Sequence, residues 1–258
     1  MTLTIITINF NNKNGLEKTI VSIVSQRLVD YEWIVIDGGS TDGSKELIED
    51  YSSSIAYWVS EPDTGVYNAM NKGIKASSGD YLIFMNSGDS FADEHVLERT
   101  IKELDSDIVC GHVLTSILKK KGEPPVSFTP WSLLRRNIPH QAEFIRRSLF
   151  SDIGLYAEDL RILSDLEFNL KSSLAGCSYK VIPYLIAVVE EGGISNTEID
   201  NMKEEIKIIQ ERVLPRAIVS DYSNFTEMRI ISSYPAIKWA IDKKWPYKLI
   251  RILHSVFS

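Results

Sequence analysis

SEPDTGVYNAMNKGIKASSGDYLIFMNSGD fills residues 60–89 and holds a polar turn, a helix, a strand and a second polar turn in succession. Val66 to Ala76 reads as a helix, with Asp63 or Thr64 placed to cap it. Asn68 and Asn71 lie three apart and so share one helical face. The run Tyr81-Leu-Ile-Phe-Met85 is continuously apolar and forms the body of a strand predicted over Asp80–Met85. It stops abruptly at Asn86-Ser-Gly-Asp89. Asn, Ser, Gly and Asp are the common turn formers, so the stop has a purely structural explanation. The same four residues also offer a ligand one carboxylate, on Asp89, and one amide oxygen, on Asn86.

The alternation continues on both sides. Leu3–Ile8 is predicted as a strand and Gly15–Gln26 as a helix, with Leu16, Ile20, Ile23 and Val24 at helical spacing. Glu32–Asp37 is a short apolar strand, Ser44–Tyr51 a helix capped by Asp42, and Ile55–Val59 a third strand. Beyond Asp89, a helix near Asp93–Leu104 precedes a strand at Ile108–His112. Strands alternating with helices mean βαβ units and a parallel sheet covered on both faces. Ligands of such sheets bind beyond the carboxyl ends of the strands. Asn9 and Asn11 follow the first strand, Asp37 ends the second, Glu61 and Asp63 follow the third, and Asn86 and Asp89 follow the fourth. Carboxylates gathered along one edge point to a cation-assisted site.

The chain has 258 residues, 44% hydrophobic and 24% charged, with a formal net charge of -7. That balance argues against a nucleic-acid partner, which requires an excess of Lys and Arg. Cys110 and Cys177 sit in apolar contexts and read as buried thiols, consistent with a reducing compartment. The N-terminus lacks a basic region and a small-residue cleavage site, so no signal peptide is expected. The longest uncharged apolar run, Val181–Val189, is too short for a bilayer span and contains a Pro.

Asp37-Gly-Gly-Ser-Thr-Asp-Gly43 joins a strand to a helix. It is either a tight turn with a cap or a nucleotide-binding turn. In the second reading Asp37 accepts from a base N–H, and Gly38 lets a ligand approach the backbone. The glycine spacing is not that of the dinucleotide fingerprint.

Taken together, several segments resemble family 2 glycosyltransferases of the GT-A fold. They are the Thr7–Asn11 strand end, SIVSQ at 22–26, IVIDGGSTDGS at 34–44, residues 60–89 quoted above, PHQ at 139–141 and SDLEF at 164–168. The likeness covers roughly residues 3–195 and is nearest the bacterial branch that builds O-antigen and capsule repeats. It implies an α/β fold: a Rossmann-like, mainly parallel sheet flanked by helices. Residues 1–114 are then a nucleotide-sugar-binding subdomain, 115–195 an acceptor subdomain of the same fold, and 196–258 a C-terminal helical extension.

By the same resemblance Thr7 and Asp37 match uridine-contacting positions, Asp63 a donor-site acid, Asp89 the acid that binds Mn2+ or Mg2+, and Asp165 the general base. Many relatives carry Asp where this chain has Asn86 and Gly88. Asn9, Asn11, Gly38, Asn68, Asn71, Lys72, Asn86 and Ser87 are grouped with the donor side. His140, Gln141 and Glu190 are grouped with the acceptor side. Read without the family, Asp165 is more simply a first-turn helix acid favoured by the macrodipole. The implied reaction is inverting transfer of a hexose from a UDP-sugar to a lipid-linked saccharide. A nucleotidyltransferase would carry a Gly-rich, basic loop after the first strand, unlike Asn9–Gly15. A nucleotide-binding protein without catalysis is the remaining alternative.

After residue 115 the pattern changes. Leu118–Trp131 is basic and then Pro-rich, a loop or hairpin. Leu163–Ala175 is a predicted helix, Tyr179–Val189 one or two strands, and Glu191–Ser195 a turn; its glycines either let Glu190–Ser195 close over the site or simply turn the chain. Ile199–Leu214 is a helix with an apolar packing stripe. The segment Lys238–Ser258 carries five Lys or Arg against one Asp, with Trp239, Trp245 and Tyr247 interleaved. It is expected to lie on the inner face of the cytoplasmic membrane as a peripheral contact. Packing on this chain's own domain, or on a second subunit in a homodimer, is the alternative.

Overall fold

The computed structural model describes residues 2–27, 30–190, 198–216 and 219. The expected turn at 191–195 and the expected membrane contact at 238–258 lie outside them. Compactness divides the chain into two units, 1–206 and 207–258. The expected boundary at 114/115 falls inside a continuous strand of the first unit.

That unit opens with three parallel repeats. β1 (Leu3–Asn9) lies between β2 (Tyr31–Asp37) and β4 (Tyr81–Phe84), and β3 (Tyr57–Ser60) extends β2 outward. All three pairings are parallel. Every residue of β1 and of β4 is buried, so these strands are apolar along their whole length rather than alternating. Helix α1 (Lys13–Val24) buries Leu16, Thr19, Ile20 and Ile23, at steps of three and four. It packs with Ile5, Trp33 and Val35 into the main core. Helices α2 (Ser44–Asp50) and α3 (Val66–Ala76) follow β2 and β3. Gly73 of α3 is required where it stands. A Cβ there would lie 2.4 Å from Ile6 Cγ2, so only glycine lets the helix sit this close to β1.

Beyond β4 the sheet departs from the parallel expectation. The order is β3-β2-β1-β4-β8-β6-β9-β5, where β5 is Ser90–Phe91, β6 Ile108–Thr115, β8 Glu143–Arg146 and β9 Tyr179–Val189. β8 is antiparallel to both β4 and β6, and β5 is antiparallel to β9. β7 (Lys121–Gly122) forms a hairpin with β6. Helices α4 (Val96–Thr100), α5 (Pro130–Arg135), α6 (Leu149–Asp152), α7 (Ser164–Leu174) and α8 (Ile199–Val213) complete the described elements. Strands β5 and β8 escape a sequence reading because two to four residues are too few to display a period of two. The expected Ile55–Val59 strand begins later, because Ser52–Ser54 forms a 3-10 turn first. Among the described residues no helix is long and apolar enough to cross a membrane. Cys110 is a buried free thiol whose pKa burial pushes up.

Candidate active site

The parallel register decides which polar residues meet. Asn9 pairs with Asp37, and Asp37 with Ser60, in line across the carboxyl edge of three strands. Asp37 is fully buried there. It accepts from Asn9 Nδ2 at 2.7 Å, the Ser40 amide at 2.9 Å, Ser40 Oγ at 2.6 Å and Ser60 Oγ at 2.6 Å. Burial alone would raise its pKa; the hydrogen bonds of Ser40, Ser60 and Asn9 outweigh burial and hold it below the usual carboxylate value. Four donors use the acceptor capacity of one carboxylate. Asp37 therefore organises the Gly38–Gly43 turn from beneath, and its expected acceptor role toward a base has no open position in this arrangement.

Two other expected donor residues also lie off the cavity wall. Thr7 is fully buried and its Oγ1 accepts from the Trp33 indole N–H at 3.1 Å. Asn11, at φ 47°, turns its side chain onto the Thr41 amide and fixes the same turn. Asp42 stands one residue before the cap of α2, bridging the first amides of α1 and α2 through Lys13 and Ser44.

The turn after β4 is the most heavily braced part of the edge. Gly88 has φ +102°, a conformation that favours glycine. Thr19 Oγ1 donates to the Asp89 carbonyl at 2.6 Å, Lys18 Nζ donates to the Gly88 carbonyl at 2.7 Å, and Asn12 Nδ2 donates to the Ser87 carbonyl at 3.2 Å. Asp89 Oδ2 accepts from Gln141 Nε2 and Oδ1 from the Glu190 amide, both at 2.9 Å. Burial raises the Asp89 pKa, and the bonds from Gln141 and Glu190 offset only part of that rise. Beside it, Asn86 Nδ2 lies 3.1 Å from His140 Nε2, while Asn86 Oδ1 is buried without a partner.

Asp89, with its raised proton affinity, and Asn86, with an orphaned buried oxygen, line the same cavity and suit a hard cation, which takes oxygen ligands and often keeps several from phosphate and water. Among the described residues no group of three or more His, Cys, Asp or Glu forms a closed metal cage. The donor set thus fits a cation that completes its shell from a bound ligand.

Helix α3 supplies the opposite wall. Asp63 accepts from the Gly65 amide at the helix start, where the cap position itself is Gly65, and its carboxylate lies over Gly38. Asn68 donates to Glu158 Oε2 at 2.8 Å. Asn71, expected at the donor, is buried; it binds both the amide and the carbonyl of Tyr156, and Glu158 Oε1. Lys72 pairs with Glu61 at 2.7 Å and donates to the Pro62 carbonyl at 3.1 Å. Asn71 and Lys72 therefore clamp α3 to residues 156–158 and to the 61–63 turn instead of lining the cavity.

At the start of α7, Asp165 Oδ1 accepts from its neighbour's amide, Leu166, at 2.8 Å and from Tyr67 Oη at 3.3 Å. Its Oδ2 lies 3.8 Å from His140 Nδ1. Only 11% of the Asp165 side chain is exposed, so it stands behind Tyr67 and His140 rather than projecting into the cleft. Burial, and then the Asp165 carboxylate, keep the Tyr67 phenol protonated.

Glu143 of β8 is buried in the same region. Its Oε1 has no partner and its Oε2 accepts only a 3.5 Å bond from Asn169. Burial, and then Asp165, raise its pKa well above the usual value. A carboxyl whose folded pKa is raised contributes stability that is present below its unfolded pKa and is lost as pH rises through the folded one. Glu143→Gln is therefore expected to match the unaltered protein in acid and to exceed it increasingly as pH rises, by about 1–3 kcal/mol at the alkaline end. Thermal unfolding across a pH series measures this, and a variant that loses ground as pH rises contradicts it.

These walls enclose a cavity of about 940 Å³. Of the expected residues it brings together Asn9, Gly38, Asp63, Asn68, Asn86, Ser87, Asp89, His140, Gln141 and Glu190. It adds Phe10, Asn12, Tyr67, Glu158, Asp159 and Arg161, which sequence reasoning did not single out as site residues. Tyr67 and Phe10 sat inside segments already noted; nothing local distinguished Glu158 or Arg161. The wall carries five carboxylates against Arg161 and His140, and Arg161 is paired with Glu198 at 2.9 Å.

A mixed sheet flanked by helices, with acids and amides at the carboxyl edge of its parallel half, is the architecture of GT-A glycosyltransferases. The Staphylococcus aureus TarS 1-349 structure in complex with UDP-GlcNAc superposes with TM-score 0.63 at 19% identity, over 74% of this chain and 59% of that one. A mannosyltransferase from Pyrobaculum calidifontis in complex with GDP-Man and Mn2+ superposes with TM-score 0.61 at 18% identity, over 80% and 64%. The model of glycosyl transferase family 2 matches residues 4–159, and the chain belongs to that family. An uncharacterized glycosyltransferase of Mycobacterium tuberculosis is 34% identical over 76% of this chain and 77% of its own length. A PGL/p-HBAD biosynthesis glycosyltransferase of Mycobacterium bovis is 32% identical over 72% and 75%.

Proposed function

We propose that this glycosyltransferase moves a hexose from a UDP-sugar to a lipid-linked saccharide with inversion, in the assembly of a bacterial surface glycan. The observation that carries the reading is that Asp89 and Asn86, whose Oδ1 is unpartnered, line one cavity with more carboxylates than cations. A diphosphate is repelled by such a wall unless a cation accompanies it. Asp89 and Asn86 would hold Mn2+ or Mg2+, which when bound would supply positive charge for the departing UDP. The UDP-GlcNAc complex of a structural neighbour supports a UDP-sugar donor, and a relative named for PGL/p-HBAD biosynthesis supports a role in glycoconjugate assembly. O-antigen and capsule repeats are the acceptors implied by the resemblance to that bacterial branch.

The chain's own groups divide the remaining work. Gly38 lets the Asp63 carboxylate pack over the backbone beside Phe10, where a Cβ would meet Asp63 at 2.5 Å, and so sets that acid on the donor wall. Asn68 is held by Glu158 and the Thr64 amide on the donor wall. Asp165 is the base for the acceptor hydroxyl as that oxygen attacks the anomeric carbon, a single displacement that inverts it and that requires Tyr67 or His140 to turn aside so that the carboxylate reaches the cavity. His140, between Asp165 and Asn86, orients the carboxylate and ties it to the donor side.

UDP release from a panel of UDP-sugars, with and without Mn2+, tests the reading. One donor is expected to release UDP, and only with the metal. UDP binding without release from any donor favours a non-catalytic nucleotide-binding protein. Diphosphate release from a nucleoside triphosphate and a sugar phosphate favours nucleotidyl transfer.

A further inference from the structure

The hairpin joining β6 to β7 presents an arrangement that the transfer reaction does not use. At its tip Ile117 is 71% and Leu118 74% exposed. Lys119, Lys120 and Lys121 follow directly, all exposed, in a chain of net charge -7. Lys121 lies 3.7 Å from Glu123, with both side chains 54% exposed. Such a surface pair neutralises little. Lys119 adopts φ 50°, a left-handed conformation in which Gly or Asn costs less. The turn thus carries a cation where its own backbone favours another residue. Four residues past β7, Val126 is fully exposed as well.

The tip is anchored close to the cavity. Thr115 pairs with Val189 in the parallel β6–β9 ladder, and the Ser116 amide donates to the Val189 carbonyl at 2.9 Å. Val189 and Glu190 line the cavity, and the Glu190 amide holds Asp89. The hairpin therefore leaves the sheet at the strand end that forms the cavity rim.

We propose that the Ile117–Lys121 tip docks on an anionic lipid surface, its two aliphatic side chains entering the interface and its three lysines meeting the headgroups. Aliphatic residues that insert beside a lysine cluster are the combination a charged bilayer surface binds, by apolar burial and Coulomb attraction together. A solvated turn needs the lysines but not the exposed Ile and Leu, and a protein pocket needs the Ile and Leu but not three adjacent cations. The inference goes beyond the proposed reaction and does not need it, because lipid binding is read without catalysis.

The test is sedimentation of the full chain with phosphatidylcholine vesicles, with and without about 30% phosphatidylglycerol. The unaltered chain is expected to pellet with the anionic vesicles only, and less as salt rises. Lys119→Ser/Lys120→Ser/Lys121→Ser should lower partitioning on the order of 100-fold and remove most of the salt dependence. Ile117→Ser/Leu118→Ser should lower it roughly tenfold or more and leave the salt dependence in place. Unchanged circular dichroism shows that both variants are folded. Variants that pellet as well as the unaltered chain overturn the proposal and assign attachment to the segment 238–258. Failure of the unaltered chain to pellet also overturns it and leaves a protein partner for the tip.

Discussion

Asp89→Asn is expected to cut glycosyl transfer by roughly 10²–10³-fold or more while the protein stays folded. The amide keeps an acceptor for the Glu190 N–H, and Gln141 can turn its own amide to match, so shape survives and charge does not. Alanine is the poorer test, because it strands Gln141 Nε2 and the Glu190 amide in a buried site. The raised pKa of Asp89 sets the sign of the stability change. Without a cation, the stability this carboxyl contributes is present below its unfolded pKa of about 3.9 and is lost as pH rises through the folded value. The Asn variant is therefore expected to be at least as heat-stable as the unaltered protein in chelator at neutral pH. Mn2+ should raise the melting temperature of the unaltered protein and leave the variant's unchanged. That metal-induced shift should shrink as pH falls toward the Asp89 pKa, because a proton competes for the same oxygens. Transfer that persists in both proteins after chelation would remove the cation from the reaction.

Asp165→Asn is expected to lower kcat by about 10²–10⁴-fold, the range typical of a general acid or base, and to leave donor affinity close to unchanged. The substitution is nearly isosteric. The Leu166 amide and the Tyr67 hydroxyl still find an oxygen acceptor, so the start of α7 is kept. It also removes one of the charges that raise the Glu143 pKa. The substitution should therefore also give a gain in stability at alkaline pH, which reports the Asp165–Glu143 repulsion and leaves the fall in kcat to report catalysis. A large loss of UDP affinity with turnover intact would instead make Asp165 a donor-site residue. The placement of Asp165 behind His140 and Tyr67 makes the pH profile informative. If His140 only orients the carboxylate, His140→Gln should retain part of kcat with the donor KM unchanged.

Much of the fold was legible in the chain itself. The runs at Leu3–Ile8, Glu32–Asp37 and Tyr81–Met85 are too apolar for one-sided strands, and the helical spacing of Leu16, Ile20 and Ile23 places α1 over them. Local periodicity reports local burial, and burial on both faces is what a parallel βαβ sheet demands. The polar residues that end those strands were legible for the same reason, since every parallel strand finishes on one edge. The sequence by itself therefore determined the family and the edge on which the cavity opens, and it singled out Asp63, Asn86 and Asp89, which the fold places on the cavity wall.

Which of those residues face the cavity was decided only in three dimensions. Thr7, Asn11, Asp37, Asn71 and Lys72 have the right residue types, yet each is already engaged by protein partners. A hydrogen bond made to a neighbour across the sheet leaves no mark at the residue's own position in the chain. Asp89 meets Gln141 across 52 positions and the Glu190 amide across 101. Strands β5 and β8, whose brevity hides any period, set those meetings by fixing the register of residues beyond Phe84. The raised proton affinities of Asp89 and Glu143 have the same origin. Desolvation depends on what the whole fold packs around a carboxyl, and neighbours in sequence contribute only a small part of that shell.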